Sequence, residues 1–204
     1  MAQIELTQAQ RERARRLIPP WLPTLLRTAQ CLTHHQQEAE DLVQDAVVKA
    51  MRAIDSFEDG TNERAWLLTI LRRAHVDRAR SAQRRPLQLS LDSEEGVEPE
   101  AHNDDGDAGG RYDDQWDEPE ALMNRFEDEQ LIEALKQLPD DTRWTLLLVD
   151  VEQMEHTDAA GVLGVAEGTI KSRAHRGRKL LRDQLYEWAK TRGWIVKEEA
   201  TRQS

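Results

Sequence analysis

Residues 140–185 decide the fold, and they read DDTRWTLLLVDVEQMEHTDAAGVLGVAEGTIKSRAHRGRKLLRDQL. The stretch contains three successive helical patterns, with Gly164 between the second (156–163) and the third. In the third pattern, apolar and small residues recur in steps of three and four, which places them on one side of a helix. These residues are Ile170, Ala174, Gly177, Leu181, Leu185 and Trp188. A short helix, a glycine turn and a second helix predict a helix-turn-helix, a motif that fits its second helix into the major groove of DNA.

The third helical pattern is basic, although the chain as a whole is acidic. Between Ala166 and Arg182, six cations accompany one acid, Glu167, whereas the formal net charge of the chain is −11. The cations are Lys171, Arg173, Arg176, Arg178, Lys179 and Arg182. A cationic helix in an acidic protein favours a polyanionic ligand such as nucleic acid. A solvated basic face without a ligand is the alternative.

The composition indicates an all-α protein. The chain has 204 residues, of which 38% are hydrophobic and 33% are charged. Leu, Ala, Arg and Glu dominate, and the alternation of β-branched residues that is typical of strands is scarce. A chain of this length forms one domain or two small ones. Because an acidic stretch interrupts the helical patterns, we expect two small helical domains joined by a flexible acidic linker.

Cysteine usage and hydropathy bear on the compartment. Cys31 is the only cysteine, which excludes an intramolecular disulfide and fits a reducing compartment. No apolar run approaches the roughly 18 residues that a membrane span needs. The first residues lack the apolar region of a secretory leader. We therefore expect a cytoplasmic protein without membrane insertion.

The N-terminal half predicts helices at 4–18, 23–32 and 38–55, and a further helix that Asn62 caps and Pro86 ends. The helix at 38–55 is amphipathic, with acids in its first turns and bases in its last. The helix dipole explains that order, whereas the functional alternative is an acidic docking face for a basic partner. The helix after Asn62 is basic on its outward positions, so a second cationic helix lies in this half.

Residues 87–120 are rich in Asp, Glu, Gly and Pro and show no helical or strand period, which predicts the flexible linker. Because of its negative charge, the linker could cover the basic helices or enter a basic channel of a partner. The other interpretation is an inert tether. Helices at 122–138 and after Pro139 follow, the second with Asp140 or Asp141 as its cap.

Metal and catalytic sites are not predicted. Cys31, His34 and His35 provide too few ligands at zinc spacing. A calcium loop centred on Gly106 would place residues without ligand oxygens at its first and last positions. No histidine accompanies the carboxylates near Asp41 at a useful spacing for catalysis. We expect no enzyme activity, cofactor or metal.

Two blocks of the sequence resemble the sigma-70 family of sigma factors, of the compact extracytoplasmic-function type. AEDLVQDAVVKAMRAIDSF (39–57), followed by GTNERAWLLTILRRAHVDRAR (60–80), is similar to region 2 of that family. LPDDTRW and the residues after it, through Leu185, are similar to region 4. The resemblance implies a region 2 domain at 1–86, the linker at 87–120, a region 4 domain at 121–194 and a tail at 195–204.

The resemblance implies an alternative sigma factor that binds core RNA polymerase and directs transcription from promoters. The polymerase contacts, on the β′ coiled coil, fall on Asp41, Gln44 and Asp45. The contacts to the promoter −10 element fall on Asn62, which matches the reader of a flipped base, and on Arg72, Arg73, Arg78 and Arg80. The contacts to the −35 element fall on Arg143, Lys171, Ser172, Arg173, His175, Arg176 and Lys179. The polymerase β flap, promoter DNA and an anti-sigma protein are the other implied partners.

Some positions depart from the family pattern. Glu155 and Ala166 stand where the family usually caps the two helices of the motif with Ser or Thr, and losing a cap costs about 1 kcal/mol.

Two weak DNA-binding modules gain affinity when a larger partner holds both at the right distance. We therefore expect the chain alone to bind promoter DNA poorly and the complex with polymerase to bind it well. The rival hypothesis, a stand-alone helix-turn-helix regulator, leaves the acidic face and the second basic helix unexplained.

Overall fold

A computed structural model describes residues 6–84 and 128–191, and within these ranges the regular structure is entirely helical. This confirms the all-α prediction. The helices are α1 (Gln8–Leu17), α2 (Leu22–Leu32), α3 (Gln36–Arg52), α4 (Glu63–Arg84), α5 (Asp128–Lys136), α6 (Asp140–Leu146), α7 (His156–Leu163) and α8 (Glu167–Thr191). The predictions for the acidic linker at 87–120, the tail at 195–204 and the start of the helix at 122–138 lie outside the described residues. The boundaries proposed for the domains stay predictions.

Helices α1 to α4 form the first unit, because each contributes an apolar stripe to one core. Ala39, Leu42 and Ala46 of α3 repeat at helical spacing and are at most 2% exposed. Leu67, Leu68, Ile70, Leu71 and Ala74 of α4 are also buried. Thr7 begins α1 with a capping box, and Asn62 caps α4 by accepting a hydrogen bond from the Ala65 amide at 3.1 Å. The predicted Asn62 cap is therefore confirmed.

Helices α5 to α8 form the second unit around Trp144, which is 1% exposed. After α6 the chain continues as a π-helical segment, Leu147–Val151, whose first three residues are buried. Gly164 ends α7 at φ +66°, a left-handed conformation that glycine adopts without steric cost. Helix α8 then runs for 25 residues and buries Ile170, Ala174 and Gly177 against the preceding helices. These elements form the predicted helix-turn-helix.

The predicted cap of α6 was wrong. Its N-cap is Pro139, which has no capping side chain, and Asp140 and Asp141 occupy the first turn. Carboxylates there still suit the positive end of the helix dipole. By contrast, Glu155 makes no capping hydrogen bond at the start of α7, as its departure from Ser or Thr predicts.

The two units pack against each other in the described structure, with α5 against α2 and α7 against α4. Glu152, in the turn before α7, is 3% exposed and lies at this boundary. Within residues 6–84 and 128–191, no helix combines the length and the apolar character needed to cross a membrane.

Candidate nucleic-acid and polymerase interfaces

The outer side of α8 carries a set of exposed polar and basic residues, which we call the recognition face: Lys171, Ser172, His175, Arg176 and Lys179. The buried stripe of α8 lies on its other side, so the 3.6-residue period separates the two sets. Lys171 pairs with Glu167 at 2.7 Å, one turn earlier on the same helix. That hydrogen bond lowers the pKa of Glu167, which therefore stays ionised at neutral pH.

Other predicted −35 residues make contacts inside the second unit. Arg173 is half-buried and pairs with Asp141 of α6 at 2.9 Å. Arg143 is half-buried and donates from Nη2 to the Leu138 carbonyl at 2.9 Å. Arg173 thus joins α8 to α6, and Arg143 joins α6 to the turn before it; their DNA contacts stay predictions. Arg178, which was not among the predicted contacts, binds Asp150, and this hydrogen bond raises the pKa of Arg178.

The acidic side of α3 faces α4, so the two predicted contact sets of the first unit meet. Gln44 and Asp45 are exposed and Asp41 is half-buried. Arg78 of α4 donates from Nε to Asp45 at 2.8 Å, while Lys49 pairs with Asp77 at 2.6 Å. The Lys49 hydrogen bond lowers the pKa of Asp77. A predicted polymerase contact, Asp45, and a predicted DNA contact, Arg78, therefore bind each other in this structure.

The other basic residues of α4 differ in exposure along the helix. Arg73 and Arg80 are exposed and Arg72 is half-buried. By helical geometry, Arg72, Arg73 and Arg80 share one side of α4, whereas Arg78 lies on the side that contacts α3, where it binds Asp45. The structure thus brings the predicted −10 residues onto one helix and its N-cap.

Asn62 contacts the second unit. Its side-chain amide donates to the carboxylate of Asp158 in α7 at 2.7 Å. Two arginines of the first unit make similar contacts: Arg27 donates to the Glu152 carboxylate at 2.8 Å, and Arg64 donates to the Glu152 backbone carbonyl at 2.6 Å. We call Arg27, Asn62 and Arg64 the covered face, because each donates a hydrogen bond to a residue of the second unit, although Asn62 and about half of the Arg27 side chain remain exposed.

The sequence did not indicate the covered face. Arg27 and Glu152 are 125 positions apart, and neither lies in a periodic pattern that predicts the contact. Glu152 reads as an ordinary surface acid, whereas only 2% of its side chain is exposed. The one available signal was Arg64, which stands two residues after Asn62 in the GTNERAW block.

A ring contact also joins the two units. Trp144 donates from Nε1 toward Nδ1 of His75 at 3.5 Å, and the two ring centroids are 6.0 Å apart. Burial lowers the pKa of His75, and Asp140, 3.9 Å away, opposes that shift. Neutral His75 fits the contact, because its Nδ1 must accept the Trp144 hydrogen.

Within residues 6–84 and 128–191, no three His, Cys, Asp or Glu side chains are grouped so that they could hold a metal ion. Cys31 is buried, whereas His34 and His35 are exposed. Burial raises the pKa of Cys31 to about 11, so its thiol stays protonated at neutral pH.

Comparison with known proteins agrees with this geometry. The family description "Sigma-70 region 2" matches residues 17–85, and "Sigma-70, region 4" matches residues 128–181. The ECF RNA polymerase sigma factor EcfG of Rhodopseudomonas palustris is 35% identical over 165 residues, which cover 81% of each chain. The ECF RNA polymerase sigma factor SigW of Bacillus subtilis is 31% identical over 150 residues, covering 72% of this chain and 75% of SigW.

A solved structure has a similar fold. It is the sigma factor RpoE from Bartonella quintana, in complex with the anti-sigma factor NepR. The TM-score is 0.62 at 29% sequence identity, and the match covers 89% of this chain and 98% of the other. The similarity therefore extends over both helical units.

Proposed function

The chain belongs to the sigma-70 family and is an alternative sigma factor of the extracytoplasmic-function type that directs transcription initiation, and from this premise we propose how its residues divide the work. The first unit docks on core RNA polymerase through Asp41, Gln44 and Asp45. It reads the −10 element through Asn62 and the basic side of α4. The second unit reads the −35 element through the recognition face of α8.

The arrangement of α8 carries the proposal for the −35 element. Exposed and buried residues lie on opposite sides of the helix, and the turn at Gly164 sets it after α7 as the second helix of the motif. Such a helix lies in the major groove, where arginine and lysine bind guanine and a good bidentate contact contributes about 1–3 kcal/mol. The alternative, a stand-alone regulator, would need only this motif and would bind no polymerase.

A pull-down of core RNA polymerase tests the division of work. We expect the wild-type chain to bind core polymerase and to start transcription on fragments of the source genome. Replacing Asp41 and Gln44 with alanine removes a charge and an amide from the docking face, so binding should fall at least tenfold. The matched control is Gln8→Ala with Glu12→Ala, which removes an exposed amide and acid from α1. Equal polymerase binding by both double variants would contradict the docking assignment.

Promoter recognition is tested on a fragment that the wild-type complex transcribes. Arg176→Ala in the recognition face should reduce transcription about 5- to 100-fold, as expected for the loss of one base contact. Arg15→Ala on α1 is the charge-matched control, and Arg15 is exposed. Normal transcription by Arg176→Ala would contradict its place in the −35 contact.

An anti-sigma protein is a further proposed partner. The support is that the similar sigma factor from Bartonella quintana was solved in complex with one. We propose that the chain acts in the cytoplasm, where its polymerase works, and that polymerase supplies the chemistry of transcription. A protein that copurifies with the chain and inhibits transcription by its holoenzyme would support this, and unchanged transcription in its presence would contradict it.

A further inference from the structure

The hydrogen bonds on the covered face all run in the same direction, from donors in the first unit to acceptors in the second. Region 2, the first unit, supplies donors: the amide of Asn62 and the guanidinium groups of Arg27 and Arg64. Region 4, the second unit, supplies acceptors: the carboxylates of Glu152 and Asp158 and one backbone carbonyl. A strand of nucleic acid offers the same acceptors, as phosphate oxygens and base edges.

Glu152 is held like a bound anion. Arg27 donates to its Oε1 from both Nε, at 3.1 Å, and Nη2, at 2.8 Å. The guanidinium fork that binds a carboxylate in this way also fits a phosphate. A buried carboxylate is costly unless it is paired, so the site has the charge that an anion requires.

Arg64 is positioned independently of Glu152. Its guanidinium lies over the ring of Trp21, 5.9 Å from the centroid, and the Trp21 indole donates to Glu63 at 3.2 Å. Both contacts lie within region 2, so they remain when region 4 moves away. Arg64 is therefore held beside Asn62 whether or not Glu152 is present.

We propose that Arg27 and Arg64, beside Asn62, form a binding site for the phosphate backbone of single-stranded promoter DNA. In the closed chain, in which the two units pack against each other, Glu152 and Asp158 occupy this site. The proposal rests on the proposed function, because it extends the −10 contact of Asn62 by two residues that had no assigned role. Region 4 and the DNA strand compete for one set of donors. DNA binding at Asn62 therefore requires the two units to separate there.

Fluorescence anisotropy tests the proposal with the full chain and a fluorescein-labelled, random-sequence 20-nucleotide single strand. We expect Glu152→Gln with Asp158→Asn to bind the strand at least fivefold more tightly than wild type at 50 mM NaCl. Gln and Asn keep the shape of the side chains but lose the charge that competes with phosphate. The matched control is Glu133→Gln with Glu155→Gln, which removes two exposed acids from region 4. An equal gain in this control would overturn the proposal, because it would mean a general charge effect.

The two arginines are then tested in the Glu152→Gln, Asp158→Asn background. Adding Arg27→Ala and Arg64→Ala should abolish the gain. It should also reduce the slope of log K against log salt by about 1.4, since each phosphate contact of a single strand contributes about 0.7. Arg11→Ala with Arg15→Ala, on exposed positions of α1, is the control for lost charge. An unchanged affinity and slope after removal of Arg27 and Arg64 would overturn the site.

The experiments distinguish failure of the phosphate site from failure of the proposed function. Failure of the wild-type chain to bind core polymerase would contradict the sigma-factor assignments while leaving the anisotropy result intact. Normal polymerase binding with no change in strand affinity would contradict the phosphate site alone. Circular dichroism and thermal melting confirm that each variant is folded, and the single variants Glu152→Gln and Asp158→Asn replace the double variant if it is not.

Discussion

The two surfaces for which we propose DNA binding differ in what the rest of the chain places against them. The recognition face of α8 is exposed along its length, whereas the covered face of region 2 is occupied by Glu152 and Asp158 of region 4. Both faces are cationic, so their charge does not cause the difference. It arises from which residues the rest of the chain places against them. Under the proposed assignments, the recognition face can meet DNA while the two units are packed together, whereas the covered face can do so only after they separate.

The largest expected effect comes from reversing the charge at the boundary. Glu152→Lys places a cation against Arg27, and breaking a fully buried pair costs about 3–5 kcal/mol. Because about half of the Arg27 side chain is exposed, we expect a loss of about 2–3 kcal/mol in the contact between the units. Small-angle X-ray scattering should show a larger radius of gyration. Glu155→Lys is the control, and identical scattering profiles for both variants would contradict a closing role for Glu152.

The difference between the two faces also sets what the sequence can predict. The recognition face follows from one helical period, since the spacing of Ile170, Ala174 and Gly177 fixes which side of α8 is buried. The Asn62 cap likewise depends on neighbours within three residues. The covered face joins residues that are 88 to 125 positions apart, and no local period encodes such contacts. The wrong cap at Asp140 or Asp141 shows that even local reasoning fails here, because Pro139 occupies the N-cap position and the helix begins at Asp140.

The support of the recognition face can be changed without touching the covered face. A Cβ on Gly177 would lie 2.7 Å from Cγ2 of Thr142 and 3.1 Å from Cδ1 of Leu146, so α8 packs closely on α6 there. Overpacking costs about 1–3 kcal/mol, and the higher helix propensity of alanine offsets about 0.5–1 kcal/mol. We expect Gly177→Ala to lower the free energy of unfolding by about 1–2 kcal/mol in urea denaturation.

The matched control for Gly177 lies on the same helix. Gly168 has nothing within 4 Å of an added Cβ, so Gly168→Ala gains helix propensity without a clash and should be neutral or slightly stabilising. Two variants of equal stability would contradict the close packing of α6 on α8.

The boundary should also respond to pH through His75. Burial lowers the pKa of His75 in the folded chain; Arg143, Arg72 and Arg78 act in the same direction, and Asp140 opposes them. The neutral form is therefore favoured on folding, so its stabilisation is present above the unfolded pKa near 6.5 and declines as pH falls below it. The decline for one proton is at most about 1.4 kcal/mol per pH unit.

Urea denaturation between pH 7.5 and 5.5 measures that decline. His75→Gln lacks the titrating ring, so its stability should fall less over this range than that of wild type. The exposed residue His35 provides the control variant His35→Gln, which should retain the wild-type slope. Equal slopes for wild type and His75→Gln would contradict a neutral His75 at the boundary.

The smallest expected effect concerns the chain segment that connects the two faces. Asp150 accepts hydrogen bonds from Arg178 of α8 at 3.1 Å and 2.7 Å, and it stands two residues before Glu152. Arg178 is about half exposed, so the pair should contribute only about 0.2–1 kcal/mol, and salt should weaken it. A double-mutant cycle with Asp150→Ala and Arg178→Ala, measured by urea denaturation at 50 and 500 mM NaCl, gives the coupling energy. A coupling above about 2 kcal/mol that salt does not change would contradict a weak surface pair. Such a coupling would mean that the Asp150–Arg178 pair connects α8 rigidly to Glu152. DNA bound to the recognition face would then bias the release of Glu152 from the covered face.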